Sequence, residues 1–132
     1  MPRTILFLCP HHAAKSVLAV AHCTRLIERH GLDFDVDSGG TEPDAHVIPS
    51  VVALLREQGI DVSSQRPRRV SREQLEGAWR IISFGCGDAD LSAAAVPVEQ
   101  WLDVPLASED VYASWEVIRA KVDALIEELH QA

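Results

Sequence analysis

Apolar residues along the chain follow two rhythms that alternate. Residues 4–8 (TILFL) form a short run without polar alternation, as a strand buried on both faces requires. Residues 16–30 instead place Val17, Leu18, Val20, Ala21, Leu26 and Ile27 along one side of a helix, which Gly31 stops. Residues 34–37 (FDVD) predict a second strand, followed by the turn-rich SGGTEP at 38–43. A second helical face runs over 50–58 through Val51, Val52, Leu54 and Leu55 and closes at Gly59. Ser71 opens a short helix with the capping-box pattern SREQ. Residues 80–84 (RIISF) predict a third strand and 98–102 a fourth. A long amphipathic helix then covers 108–129, with Val111, Trp115, Ile118, Val122, Leu125, Ile126 and Leu129 facing inward. Strands alternating with helices at this spacing imply an α/β, doubly wound fold with helices on both faces of a parallel sheet. No repeat or linker interrupts it, so residues 1–132 are expected to form one domain.

Composition narrows the function. A chain of 132 residues with 47% hydrophobic and 24% charged residues can bury roughly two-thirds of its unfolded surface in one core. The net charge of −8 gives a nucleic-acid partner little electrostatic support, and the cluster Arg66, Arg68, Arg69 and Arg72 reads as a solvated loop. No stretch approaches membrane-spanning length, and the first apolar run is too short for a signal peptide. No membrane partner is therefore expected. Cys9, Cys23 and Cys86 are odd in number and widely spaced, which suits the reducing cytosol better than a disulfide framework.

The chemistry is expected where the first strand ends. Open parallel sheets bind ligands beyond the carboxyl ends of their strands, where the winding reverses. The first strand runs directly into Cys9, and CPHHAAKS then enters a helix. Peptide N–H groups at such a corner converge on one point, and the helix dipole adds positive potential that favours a thiolate. Lys15 contributes a cation and Ser16 a hydroxyl within reach of the sulfur. Together they suit a nucleophile attacking a tetrahedral oxyanion. On local sequence alone, a structural cysteine beside a helix that starts with lysine fits equally well. Cys9, His11, His12 and Cys86 do not have a recognised zinc spacing, so no metal is expected. Cys23 lies inside the first helix and reads as core, and Asp88 and Asp90 as turn residues.

A cysteine, five residues, a basic residue and then serine after the first strand resembles the phosphate loop of the low-molecular-weight tyrosine phosphatases and the cysteine-dependent arsenate reductases. The resemblance continues through SGGTEP at 38–43, LLREQGIDV at 54–62, CGDAD at 86–90, and Trp101 and Pro105. It implies a four-stranded parallel sheet of order 2-1-3-4. It also implies an oxyanion pocket formed by Pro10, His11, His12, Ala13, Ala14, Lys15 and Ser16 around Cys9. Arsenate or a phosphate ester is the implied substrate, with no bound cofactor. For a reductase, the implied partner is an external thiol or dithiol reductant.

The departures from this pattern fall on positions that carry chemistry. Lys15 replaces the family's loop arginine and offers a point charge where a planar fork would bind two oxygens. His12 stands where the family has an asparagine that holds the loop, and Ala14 where relatives often carry glycine or cysteine. The general acid is an aspartate directly before proline, but here Val104 precedes Pro105, which leaves Asp103 as the candidate. The third cysteine of thioredoxin-coupled relatives is Ala93. Because the family's first and third strands are neighbours, the resemblance implies that Cys9 and Cys86 could still join in a disulfide reduced directly by an outside thiol. Three functions follow from this: an altered reductase or phosphatase, an oxyanion-binding protein without turnover, and a cysteine phosphocarrier.

Overall fold

The computed structural model describes residues 3–131. Four strands, β1 (Arg3–Leu8), β2 (Phe34–Gly39), β3 (Arg80–Ser83) and β4 (Val98–Gln100), form one parallel sheet of order β2-β1-β3-β4. The helices are α1 (Lys15–His30), α2 (Pro49–Glu57), α3 (Arg72–Gly77) and α4 (Val111–Gln131), and a 3-10 turn covers Asp88–Leu91. Sheet order and helical cover agree with the doubly wound arrangement expected from the sequence.

The unbroken apolar run of β1 has a direct structural cause. Ile5, Leu6, Phe7 and Leu8 are all fully buried, because successive side chains enter different cores. Ile5 and Phe7 pack with residues of α1, α2 and α4, among them Leu18, Leu54 and Ile118. Leu6 and Leu8 pack on the other face with Leu75, Ala78, Ile81 and Leu91. Each such side chain contributes on the order of 1.5–3 kcal/mol through burial. Thus β1 anchors both layers. Its last residue, Leu8, pairs with Gly39 of β2 on one side and Ser83 of β3 on the other. The chain leaves β1 for β2 on one side and returns to β3 on the other, so the winding reverses at Cys9.

Several boundaries differ from the hydrophobic pattern for local reasons. Strand β2 runs two residues past its expected end, because it pairs with β1 all the way to Leu8. Helix α4 starts at Val111 instead of residue 108. The segment before it turns on itself, with the N–H groups of Glu109 and Asp110 both bonded to the Leu106 carbonyl. Asp110 then caps the helix by accepting the Ala113 N–H at 3.0 Å. At α3 the expected capping box is present in both directions between Ser71 and Gln74. Gly31 closes α1 in the left-handed conformation, at φ 62°.

One glycine fixes how closely β2 approaches the chain after β1. A Cβ on Gly40 would lie 2.7 Å from the Pro10 carbonyl oxygen and 3.0 Å from that of Cys9. Both obstacles are backbone, so relief would require moving the loop itself. Gly40→Ala is expected to lower stability by about 1–3 kcal/mol through overpacking and to reduce alkylation of Cys9. Urea midpoints and labelling rates check both effects.

Candidate active site

The six residues from Cys9 to Ala14 turn the chain from β1 into α1, and four of their six carbonyl oxygens accept backbone N–H groups. Pro10 accepts the Glu42 N–H at 2.7 Å, His11 the Asp44 N–H at 2.9 Å, and Ala13 the Ile48 N–H at 2.9 Å. Ala14 accepts the Leu18 N–H at 2.9 Å. Among the described residues, none of the N–H groups of 11–16 donates to a backbone carbonyl. Helix α1 also begins without a side-chain cap and without an acidic residue in its first turn. Oriented donors and an uncapped helix dipole are together suited to an anion.

His12 makes this geometry possible. It sits at φ 51°, and among the described residues it is the one non-glycine with positive φ. That conformation costs about 1–2 kcal/mol for an L-residue. Two hydrogen bonds hold it there. The Arg68 backbone N–H donates to Nδ1 at 2.9 Å, so Nδ1 must keep its lone pair. The hydrogen is therefore on Nε2, which donates to Ser38 Oγ at 2.7 Å. Burial pushes the ring's pKa down, and the positive Arg68 side chain adds to the effect. The side chain thus serves as a strut behind the loop. The sequence suggested a departure from the family's asparagine, but the structure reveals a replacement that meets the same demand.

At the centre of the loop, Cys9 Sγ and Ser16 Oγ are 2.9 Å apart and both residues are buried. The sulfur faces a cavity of about 300 Å³, lined on the loop side by Cys9, Pro10, His11, Ala13, Ala14 and Lys15. Ile48, Phe84, Leu106 and Ala107 form an apolar wall, with Asp44 and Ser108 as polar breaks. Trp101 positions this wall. Its ring packs on Phe7 and Phe84, and its indole N–H donates to Glu99 at 2.7 Å.

Two expected residues do not reach the cavity. Asp103 pairs with Lys121 at 3.0 Å on the surface, and that hydrogen bond holds its carboxyl below the usual range. It is therefore displaced from the site and poorly suited to hold a proton. Val104, in the family's acid position, is buried in the core. Cys86 packs on the opposite side of the sheet from Cys9, with Leu6, Leu8 and Leu75. Burial pushes its thiol up, and its own N–H is fixed by Ser83 Oγ at 2.9 Å. The Cys9 sulfur lies near enough to add to that shift, but the two side chains enter different cores and Cys86 does not line the cavity, so the implied disulfide would need the chain after Phe84 to turn. Cys23 is core as expected, and burial raises its pKa to about 12.

The sequence reading also missed a pair. Asp44 stands at the cavity rim with its carboxylate 3.3 Å from His11 Nδ1. Its position next to the SGGTEP segment was the available signal. Among the described residues, no group of three or more His, Cys, Asp or Glu side chains could hold a metal ion, and no helix is long and apolar enough to cross a membrane.

Two measurements follow from this geometry. Iodoacetamide is expected to modify Cys9, which opens on the cavity, before Cys23 and Cys86, as peptide mapping would read. A folded pKa below 6.5 means that the neutral His12 ring contributes fully above about pH 6.5, and that this contribution is lost as pH falls through the depressed folded value. Stability should therefore decline on acidification. Asparagine offers a donor and an acceptor without a titrating ring, so His12→Asn should remove part of that slope. His22, also depressed by burial, should retain the rest. Urea midpoints between pH 7.5 and 5 would reveal it.

Comparison with known proteins agrees with this geometry. The family described as low molecular weight phosphotyrosine protein phosphatase matches residues 4–95. A putative arsenate reductase of Halobacterium salinarum is 37% identical over 106 residues, covering 78% of this chain and 75% of the relative. An arsenate reductase of Halalkalibacterium halodurans is 30% identical over 130 residues, 93% of this chain and 89% of the relative. Among solved structures, YfkJ from Bacillus subtilis superposes with a TM-score of 0.86 at 19% identity, covering 99% of this chain and 96% of that one. A thioredoxin-dependent arsenate reductase of Corynebacterium glutamicum gives 0.80 at 22% identity, covering 98% of this chain and 63% of that one. By sequence and by fold, the chain belongs to the low molecular weight phosphotyrosine protein phosphatase family, close to its arsenate reductases.

Proposed function

We propose that Cys9 is the thiolate nucleophile of an enzyme acting on a tetrahedral oxyanion, arsenate first, with an external thiol as reductant. The observation that carries this reading is the 2.9 Å contact between Cys9 and Ser16 at the base of a loop whose N–H groups have no backbone acceptor. A hydroxyl that donates to the sulfur stabilises the thiolate, and converging N–H groups hold the oxygens of the oxyanion. Lys15, at the start of α1, adds a cation beside them. The resemblance to arsenate reductases supports arsenate as substrate.

In the first step the sulfur forms a bond to arsenic, and one arsenate oxygen leaves as water once protonated. The thiolate of an outside thiol then attacks the Cys9 sulfur. The sulfur–arsenic bond breaks with its electron pair going to arsenic, which departs as arsenite, and Cys9 is left in a mixed disulfide. A second thiol restores Cys9. With Cys86 packed away from the cavity and Ala93 in the third cysteine's place, the reductant has to come from outside the chain. A reducing compartment such as the cytosol fits this demand, because all three cysteines are free thiols.

Hydrolysis of a phosphate ester is the second reading, favoured by the cavity itself. About 300 Å³ with an apolar wall of Ile48, Phe84 and Leu106 gives more room than one bare oxyanion fills. The two readings share the attack by Cys9 and differ in what resolves the adduct, a thiol or water.

Arsenite release in the presence of a small dithiol, and phenol release from aryl phosphates, test the two fates. Cys9→Ser is expected to abolish both, and Cys86→Ser to retain most of the arsenate activity. Lys15→Arg restores a two-toothed contact and should raise kcat/KM by on the order of tenfold or more. Tight arsenate binding without turnover, in wild type and Lys15→Arg alike, would mark an oxyanion-binding protein instead of an enzyme.

A further inference from the structure

The attack by Cys9, on which this inference rests, leaves an oxygen that needs a proton, and the family's usual donor is missing. Val104 is an apolar core residue, and Asp103 is held by Lys121 outside the cavity. The titratable side chains lining the cavity are Cys9, His11, Lys15 and Asp44. Cys9 is the nucleophile, and Lys15 is a cation beside the oxyanion. The remaining two are paired with each other.

The pair has a defined polarity. His11 Nδ1 is 3.1 Å from the Glu42 carbonyl oxygen and 3.3 Å from Asp44 Oδ1. Both partners accept hydrogen bonds, so Nδ1 carries a hydrogen whether the ring is neutral or charged. The proton that comes and goes is therefore on Nε2. The backbone holds the pair in place: the Asp44 N–H bonds to the His11 carbonyl at 2.9 Å and the Glu42 N–H to that of Pro10 at 2.7 Å. The histidine thus belongs to the nucleophile's own loop, two residues from the sulfur, with a carboxylate behind it. A carboxylate on one imidazole nitrogen fixes the tautomer and the orientation of the ring.

We propose that His11 is the proton donor to the leaving oxygen, with Asp44 as its positioning residue. As the sulfur–phosphorus bond forms and the phosphorus–oxygen bond breaks, protonated His11 gives its Nε2 proton to the departing alkoxide or phenoxide. Neutral His11 then takes a proton from the water that attacks the phosphocysteine. The sulfur–phosphorus bond breaks with its electron pair returning to Cys9, phosphate leaves, and His11 is protonated again. With arsenate, the same proton goes to the oxygen that leaves as water. The charged groups sharing the cavity with His11 are Asp44, Lys15 and the Cys9 thiolate, so its titration is read in their presence.

The test compares wild type, His11→Gln and Asp44→Asn on p-nitrophenyl phosphate, phenyl phosphate and arsenate between pH 5.5 and 8.5. Glutamine can still donate to the Glu42 carbonyl but cannot deliver a proton. His11→Gln is expected to lower kcat/KM about 10²-fold on phenyl phosphate and far less on the nitrophenyl ester, whose leaving group needs no acid. It should also abolish the alkaline decline of the wild-type profile on phenyl phosphate and arsenate, where the leaving oxygen needs a proton, and leave the nitrophenyl profile nearly unchanged. Asp44→Asn should lower kcat on phenyl phosphate by a smaller factor with KM little changed, and lose less on the nitrophenyl ester, as loss of ring positioning requires. Equal losses on both esters, or an alkaline decline on phenyl phosphate unchanged in His11→Gln, would overturn the assignment of His11 while leaving Cys9 as nucleophile. Wild-type protein that turns over none of the three substrates through Cys9 would overturn both readings.

Discussion

Between Leu8 and Lys15 the chain must reverse its backbone pattern from strand to helix, and the carbonyl oxygens of this turn must find partners outside it. The N–H groups of Glu42, Asp44 and Ile48 supply them. Once the oxygens point outward, the planar peptides between them can only present their hydrogens inward. The uncapped start of α1, the buried Cys9–Ser16 contact and the cavity above it all depend on this constraint. His12 absorbs the conformational cost, and Ser38 and Arg68 hold it in place from two further parts of the chain.

The fold was legible because its signals are local or periodic. The all-apolar β1, the helical stripes of α1 and α4, and the Ser71 capping box each state their structure within a few residues. Cys9, Lys15 and Ser16 could be assigned to one site for the same reason, since a single strand–loop–helix corner brings them together. What the sequence hid depends on the direction of side chains after irregular turns. Cys86 follows a strand adjacent to that of Cys9, yet the turn through Gly85, at φ 97°, delivers it to the opposite core. Asp103 is one residue from the family's acid position, and that single step puts it on Lys121. The meeting of Asp44 with His11 across 33 positions has no periodic signature either.

Charge is distributed around the site in an unusual way for a protein of net charge −8. Lys15 lines the cavity and Asp44 is turned to His11, while Asp103 is neutralised by Lys121 away from it. The wall between these pairs is apolar, so an anion entering would lose water on one side and gain peptide hydrogens on the other. In such surroundings each hydrogen bond to the anion is stronger than it would be in water.

The cradle around the sulfur is made of peptide groups, and every amino acid except proline supplies the same peptide hydrogen. Its shape is therefore nearly blind to which side chains the loop carries, provided one residue accepts left-handed backbone and Gly40 leaves room behind it. Lysine can stand for arginine, histidine for asparagine and alanine for glycine while the hollow persists. A protein built this way can change what it does to an anion without first relearning how to hold one.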